Sequence, residues 1–259
     1  MDHNGGARVP ASIEAAWGLR ARPGKGPKPG LSLDRIVEAA VKVALSDGLA
    51  GVSMNRVAAE LGTSAMSLYR YVSAKDELLT LMVDAAAGAP PPGEPGEDWR
   101  AGMTRWSWGY LHALRRHPWA VRVPINAPPV TPNQIVWLED GLTAMAGTSL
   151  HPQEKMSVIL LLSGFVRNWA TLTADLTAAA LAAGNTDPDP TVGYGRMLAG
   201  LIDPLRFPEV HKVIQSGVLD DEDDDFDQEF AFGLDRFLDG VESLMTARAG
   251  AAGRDRAAE

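Results

Sequence analysis

The sequence predicts an all-α protein, because apolar residues recur at helical spacing along most of its 259 residues. No segment alternates polar and apolar residues over the length of a convincing strand. No internal repeat of about 20 to 50 residues is visible either. The first long helix illustrates the spacing, with apolar residues three and four positions apart at Leu33, Ile36, Val37, Ala40, Val41 and Ala44.

Capping residues and glycines divide this pattern into separate helices. Ser32 is a candidate N-cap, and Ser73 with Asp76 forms a candidate capping box. One or two helical turns are expected between Ile13 and Leu19. The remaining expected helices are 32–47, 53–61, 64–71, 73–86, 98–117, 133–146, 152–182, 191–202, 208–217 and 224–248.

Composition changes divide the chain into domains. Residues 1–30 are rich in Gly and Pro and predict a flexible basic arm. Residues 31–76 predict a compact three-helix unit, whose linking helix runs on to about residue 88. The stretch GAPPPGEPGE then marks a boundary, followed by a second helical domain over 89–248. A disordered tail is expected over 249–259.

Charge is distributed unevenly around the net value of −9. Residues 1–75 carry ten Lys or Arg against six acids, whereas residues 76–259 carry 14 against 27. This asymmetry indicates a basic end that meets a polyanion and an acidic body that does not. The acidic run DDEDDDFDQEF precedes the last helix, where it suits the helix dipole or lies in solvent.

Several classes of protein are disfavoured by the sequence. It has no cysteine, no apolar run of bilayer length and no secretory signal, so we expect a cytoplasmic protein without membrane association. The nucleotide-binding and hydrolase motifs are missing, so we expect no enzyme and no cofactor. The histidines lack metal-ligand spacing, so we expect no metal site; they are His112, His117, His151 and His211.

Residues 54–73, MNRVAAELGTSAMSLYRYVS, have the pattern of a helix-turn-helix. Ala58 is small where two helices would approach most closely, and Gly62 can adopt the positive φ of a sharp turn. Leu61, Leu68 and Val72 supply the apolar anchors of the second helix. The polar side chains then point away from the small core, as in a helix that enters the DNA major groove.

The side chains of this segment suggest individual roles. The fork of Arg70 matches the guanine edge, and Met66 can contact a thymine methyl. Tyr69 and Lys75 are expected at phosphates, while Asn55 is expected to reach the flanking backbone. The complete predicted DNA-binding set is Asn55, Arg56, Ala65, Met66, Ser67, Tyr69, Arg70, Tyr71 and Lys75.

Residues 32 to about 85 resemble the tetracycline-repressor family of transcriptional regulators, through the segment IVEAAVKVALSDGLAGVSMNRVAAELGTSAMSLYRYVSAKDELLTLM. This resemblance implies a C-terminal domain that binds a ligand and dimerises through helices 152–182 and 224–248. It also carries DNA contacts to Ala65, Met66, Ser67, Tyr69, Tyr71 and Lys75, with Arg70 in the groove. The operator sequence does not transfer.

The C-terminal domain is rich in aromatic residues, with six of the seven Trp. They predict an apolar pocket, although simple core packing explains the same stripes. Arg167 and Asn168 interrupt an apolar helix, so each needs a partner if it is buried. The predicted pocket residues are Met103, Trp106, Tyr110, Trp137, Phe165, Asn168 and Trp169.

Together, these patterns predict a homodimeric repressor that binds an inverted-repeat operator on double-stranded DNA. A small, mostly apolar effector would release it, with helix 98–117 transmitting the change. Two alternatives remain open at this point: a constitutive DNA-binding protein with a filled C-terminal core, and a protein that sequesters a ligand without binding DNA.

Overall fold

The computed structural model describes residues 9–19, 31–182, 184, 193–220 and 226–257. Within these ranges the chain is helical and has no β-strand, which confirms the predicted fold class. The helices are α1 (Ala11–Ala16), α2 (Leu33–Gly51), α3 (Met54–Glu60), α4 (Ala65–Leu68), α5 (Lys75–Ala87), α6 (Trp99–Arg116), α7 (Pro132–Ala144), α8 (Pro152–Ala182), α9 (Tyr194–Ala199), α10 (Pro208–Gln215) and α11 (Phe226–Ala257). Two 3-10 helices span Pro118–Arg122 and Val218–Asp220.

Helices α2, α3 and α4 form the N-terminal domain as the sequence predicts. The hydroxyls of Ser32 and Ser53 accept backbone N–H bonds at the starts of α2 and α3. Gly62 has a φ of 63°, which makes the turn between α3 and α4 possible. Leu68 and Val72 are fully buried, so they fix α4 against the other two helices.

Two details around α4 differ from prediction. The helix ends at Leu68 rather than near residue 71, although the Val72 N–H still bonds the Leu68 carbonyl at 3.0 Å. The expected Ser73 capping box does not form, because Ala74 is the N-cap of α5. The longer Glu77 side chain instead reaches back and accepts the Ser73 N–H at 3.0 Å.

The short helix expected between Ile13 and Leu19 is present in the N-terminal arm as α1, Ala11–Ala16. Helix α1 buries Ser12 and Ile13 against the protein. The Ser12 hydroxyl donates to Glu77 Oε2 at 2.8 Å, and the Trp17 indole donates to the Val130 carbonyl at 2.8 Å. All five Lys and Arg residues of the arm lie outside the described residues.

The C-terminal domain is built around α6, which packs against α7 and α8. Helix α5 contacts α2 on one side and α6 and α7 on the other, so it belongs to both domains. Helix α11 lies along α6 and α8, and Arg100 on α6 pairs with Asp235 and Asp239 on α11. Residues 193–220 have their principal contacts with one another.

The long helix α8 has an apolar face that the described residues leave exposed. Of its predicted stripe, Val158 and Leu162 are buried, whereas Leu161 and Leu172 are exposed. Among the residues that the structure describes, α8 alone is long and apolar enough to cross a membrane. It packs, however, against α6, α7, α11 and the first 3-10 helix.

The end of the chain also differs from prediction. Helix α11 continues to Ala257, so residues 249–257 are helical rather than part of a disordered tail. The buried residues of its predicted stripe are Phe230, Leu234, Leu238 and Val241, and Leu244 is exposed. Most of the acidic run before α11 falls on residues 221–225, outside the described part of the chain.

Candidate nucleic-acid interface and internal cavity

The segment from α3 to the start of α5 presents a polar surface on the N-terminal domain. Met66 is 76% exposed, and Tyr69 and Arg70 are exposed beside it. Asn55 and Lys75 are also exposed, whereas Ala65 and Ser67 are half-buried. Because Leu68 and Val72 hold the backbone from below, these side chains project from a fixed support.

This surface carries two exposed cations, Arg70 and Lys75. Within the described chain, neither Arg70 nor Lys75 forms a hydrogen bond or an ion pair. A charged side chain kept in solvent without a partner remains available to an anionic ligand such as a phosphate. These residues fulfil the geometric requirement of their predicted roles.

Arg56 and Tyr71 do not meet the same requirement. The Arg56 guanidinium pairs with Asp47 at 2.9 Å and Glu60 at 3.0 Å, and these bonds, Glu60 first, raise its pKa. The Tyr71 hydroxyl donates to the Leu31 carbonyl at 3.0 Å. Both side chains therefore have hydrogen-bond partners inside the domain, and their contact with DNA stays a prediction.

The carboxylates around Arg56 form a compact charge network. Hydrogen bonds from Ser46 and then Arg56 lower the pKa of Asp47. Hydrogen bonds from Lys42 and then Arg56 lower the pKa of Glu60, and the Lys42 Nζ lies 2.6 Å from Glu60 Oε1. The network neutralises positive charge on α2 and α3 and leaves Arg70 and Lys75 as the cations of the recognition segment.

The C-terminal domain contains a cavity of about 300 Å³. Trp106 and Tyr110 enter it from α6, and Trp137 enters from α7. Their ring centroids are 5.6 Å apart in each pair, and we call these three residues the cavity cluster. The other lining residues are Thr80, Val83, Val123, Pro124, Ile125, Asn126, Ala127, Pro128, Pro129, Val130, Gln134, Leu138, Ile159, Leu160, Ser163 and Arg167.

Both indoles of the cavity cluster are held by backbone carbonyls. Trp106 Nε1 donates to the Trp137 carbonyl at 2.9 Å, and Trp137 Nε1 donates to the Gly88 carbonyl at 2.8 Å. Arg105, one position before Trp106, pairs with Glu97 and with Asp140 on α7. The aromatic walls are therefore fixed before any ligand arrives.

Four of the seven predicted pocket residues lie elsewhere. Met103 is fully buried in the core, and Asn168 points to the exposed face of α8. Phe165 and Trp169 pack against α11 instead, where Phe165 stacks on Phe230 with centroids 5.1 Å apart. Helical period places α8 residues on faces, but it does not say which neighbour covers each face. We call the second aromatic group, Trp108, Phe165, Trp169 and Phe230, the packed cluster.

Sequence reasoning also missed part of the cavity wall. The loop 124–130, with three prolines, forms one side of it, and Arg167 lines it from α8. The charged Arg167 in an apolar helix was a usable signal, since such a residue needs a partner. The loop gave no comparable signal.

Helix α5 connects the cavity to the polar surface. Thr80 and Val83 line the cavity, and Lys75 begins the same helix at the recognition segment. Asp84 is buried and accepts hydrogen bonds from the Asn133 side chain and the Gln134 N–H at the start of α7. A shift of α7 at the cavity would therefore act directly on α5.

The described residues contain no group of three or more His, Asp or Glu side chains placed to hold a metal ion. The site therefore consists of an exposed helix-turn-helix and an apolar cavity, joined by one helix. This combination defines a DNA-binding regulator with a ligand-binding domain.

Comparisons with known proteins agree with this class. Residues 36–82 match the family described as bacterial regulatory proteins, tetR family, and residues 91–245 match the tetracyclin repressor-like C-terminal domain. The HTH-type transcriptional repressor DrrR1 of Streptomyces coeruleorubidus is 39% identical over 249 residues, which cover 95% of this chain and 90% of that protein.

Solved structures of the Streptomyces coelicolor TetR family protein ActR are also similar. Its complex with actinorhodin has a TM-score of 0.69 and 27% identity, and the match covers 85% of this chain and 98% of that one. Its complex with (S)-DNPA has a TM-score of 0.64 and 26% identity, over 83% and 98% of the two chains. The chain belongs to the tetR family and is a DNA-binding transcriptional regulator.

Proposed function

We propose that this protein is a cytoplasmic repressor that binds an inverted-repeat operator as a homodimer and leaves it when a small, mostly apolar molecule enters the cavity. The observation that carries the proposal is the joint presence of an exposed recognition segment and a preformed aromatic cavity on the two ends of α5. The repressor named DrrR1 and the ligand complexes of ActR support the same combination. The working division is 31–76 for DNA binding, a link to about 88, and 89–248 for ligand binding and dimerisation.

DNA binding rests on the exposed part of the predicted set. Arg70 reads a base edge, Met66 contacts a thymine methyl, and Tyr69 and Lys75 hold phosphates. Ala65, Ser67 and Asn55 complete the surface at closer range. One bidentate base contact discriminates by only about 1–3 kcal/mol, so a specific complex requires two half-sites and two protomers.

Dimerisation is assigned to the exposed faces of α8 and α11. Leu161, Gly164 and Leu172 share one face of α8, and a side chain added at Gly164 would meet nothing within 4 Å. Phe232 and Gly240 are exposed on α11. Apolar residues next to small ones allow two helices to pack closely, so a second copy of the chain covers this surface better than solvent does.

Release follows from the connection through α5. A ligand that contacts α5, α6 and α7 favours one arrangement of these helices over another. Because Lys75 and the recognition segment move with α5, the two recognition helices lose their common spacing on DNA. Helix α6, the transmitter expected from the sequence, packs on α5 and takes part in the same movement.

The test of DNA binding is selection from a random palindromic duplex library, followed by fluorescence anisotropy at several salt concentrations. Arg70→Ala should relax sequence preference by about 1–3 kcal/mol at one position, whereas Lys75→Ala should weaken all duplexes and reduce the salt slope by about 1 per protomer. Lys212→Ala removes an exposed cation from α10 and serves as the control, with unchanged binding. Enrichment of no duplex would contradict the proposal.

Two other functions make different predictions. A constitutive DNA-binding protein would show the same duplex affinity with and without every compound that binds the cavity. A ligand-sequestering protein would bind such compounds but show no salt-dependent duplex binding. The cavity disfavours the first and the exposed Arg70 and Lys75 disfavour the second.

A further inference from the structure

Among the described residues that line the cavity, Arg167 is the one with a charged side chain. Its Nη2 donates to the carbonyls of Val121 and Val123, each at the long distance of 3.4 Å. Among the described residues, no carboxylate forms an ion pair with it. The cavity wall therefore carries one positive charge that two weak bonds to neutral carbonyls leave uncompensated.

Among the other polar side chains of the cavity wall, Gln134 and Tyr110 have donors left for a ligand, whereas Thr80 and Ser163 have only their oxygens left as acceptors. Gln134 uses its Oε1 to accept the Val130 N–H at 3.2 Å, which leaves its NH₂ group to a ligand. The hydroxyls of Thr80 and Ser163 spend their protons on backbone carbonyls of their own helix. The Tyr110 hydroxyl has no hydrogen-bond partner in the described chain, so its proton is also available.

A ligand in this cavity removes water from Arg167. A neutral apolar ligand would leave the guanidinium without water and without a counter-charge, which is unfavourable. An oxyanion would replace the water with charge-assisted hydrogen bonds, for which the guanidinium fork is well shaped. A cationic group would add repulsion.

We propose that the effector is an aromatic acid, whose carboxylate or ionised phenol binds Arg167 while its rings lie against Trp106 and Trp137. The inference rests on the proposed function, because it names the chemical class of the effector for the same cavity. It changes the sequence-based expectation of a mostly apolar effector in one respect: the molecule carries a negative charge.

The test measures binding of three probes of matched size to the full-length protein by isothermal titration calorimetry: naphthalene-2-carboxylate, naphthalene-2-carboxamide and naphthalen-2-ylmethylammonium. At about pH 7.5 the carboxylate is ionised. We expect the carboxylate to bind at least about 10-fold more tightly than the amide, because a hydrogen bond from Arg167 to a charged acceptor is stronger than one to a neutral acceptor. We expect the ammonium to bind most weakly, because Arg167 repels it.

Variants locate the preference at Arg167. Arg167→Gln should make carboxylate and amide bind alike, and Arg167→Lys should retain a preference for the carboxylate. Arg122→Gln is the matched control, since Arg122 pairs with Asp175 outside the cavity lining. It should keep the full preference. If Arg167→Gln does not fold, the ranking of the probes on the natural protein and on Arg167→Lys decides the question.

Three results would overturn the inference: equal binding of carboxylate and amide to the natural protein, a preference that persists in Arg167→Gln, or no binding of any probe at millimolar concentration. Fluorescence anisotropy of a labelled operator bound to the protein shows whether each probe releases DNA. It therefore separates failure of this inference from failure of the proposed function. If the neutral amide binds as well as the carboxylate and releases DNA, only the charge preference is wrong. If the carboxylate binds through Arg167 and DNA stays bound, only the proposed release is wrong.

Discussion

The described part of the C-terminal domain contains two aromatic groups of similar composition, and one of them borders a cavity whereas the other is closely packed. The cavity cluster of Trp106, Tyr110 and Trp137 borders a cavity of about 300 Å³. The packed cluster of Trp108, Phe165, Trp169 and Phe230 is closed by ring contacts. Aromatic content is therefore a poor guide to a ligand site. The element that lies opposite the rings determines whether a cavity is left between them.

The opposing elements differ in how closely they approach. In the packed cluster, helix α11 presents Gly233, where an added Cβ would lie 2.9 Å from Phe165 Cζ. In the cavity cluster, the opposing wall is the proline-containing loop 124–130, whose residues are exposed. A glycine on a helix lets the backbone close onto a ring, whereas a proline-rich loop cannot follow the surface of a helix.

The largest expected difference comes from removing large side chains. Phe230→Ala should lower the free energy of unfolding by about 3–5 kcal/mol, because Phe230 is fully buried in the packed cluster. Ile125→Ala, at a residue that is 74% exposed on the cavity loop, should change it by less than about 0.5 kcal/mol. Urea denaturation measures both. Equal losses would mean that the loop is packed as tightly as α11.

Adding volume should give an intermediate difference. Gly233→Val should destabilise the protein by about 1–3 kcal/mol, since the new atoms collide with the Phe165 ring. Ser163→Val adds volume to the cavity wall and should stay within about 0.5 kcal/mol of the natural protein. Thermal unfolding of the pair checks this. A Gly233→Val protein as stable as the natural one would contradict the close approach of α11.

The smallest expected effect is the pH dependence of the free energy of unfolding that comes from His117, near the cavity loop. Burial, and then the charge of Arg116, lower the pKa of His117, which lies just before the 3-10 helix that leads into the cavity loop. The unfolded chain then binds the proton more readily than the folded one. Stability is therefore fully present above the ordinary pKa of about 6.5 and is lost as pH falls below it.

The midpoint of urea denaturation, measured at several pH values above and below about 6.5, checks this prediction. His117→Gln should flatten the decline, and His112→Gln, at an exposed position of α6, should leave it unchanged. A decline that survives in His117→Gln would assign the proton to another group.

The sequence predicted the elements of the C-terminal domain better than their neighbours. Helix α8 spans Pro152–Ala182 as expected, because capping and periodicity are local properties. Trp106 and Tyr110 on α6, both predicted pocket residues, line the cavity. Asn168 was placed in the pocket because it interrupts an apolar helix, but it lies on the exposed face with Leu161 and Leu172. Which helix covers which face depends on packing between segments that are distant in sequence. The helical periodicity of one segment carries no information about that packing.

The same limit explains the DNA surface. The exposure of Met66, Tyr69 and Arg70 follows from the helix-turn-helix pattern alone. Tyr71 looked equivalent to Tyr69, yet its hydroxyl bonds Leu31, which is 40 residues earlier in the chain. Arg56 looked like a cation for DNA until folding brought Asp47 and Glu60 to it. Residue type and spacing identified the surface, and tertiary partners decided which of its members remain available.

The N-terminal helix has a practical consequence for studying the protein. The Trp17 indole donates a hydrogen bond to the Val130 carbonyl, and the Ser12 hydroxyl donates one to Glu77 in the first turn of α5. A chain shortened past Trp17 would lose the hydrogen bonds that connect the N-terminal segment to α5 and to the cavity loop. Measurements on a shortened protein and on the full chain are therefore not equivalent. In the full chain, the half-exposed indole of Trp17 stays hydrogen-bonded to the last residue of the cavity loop.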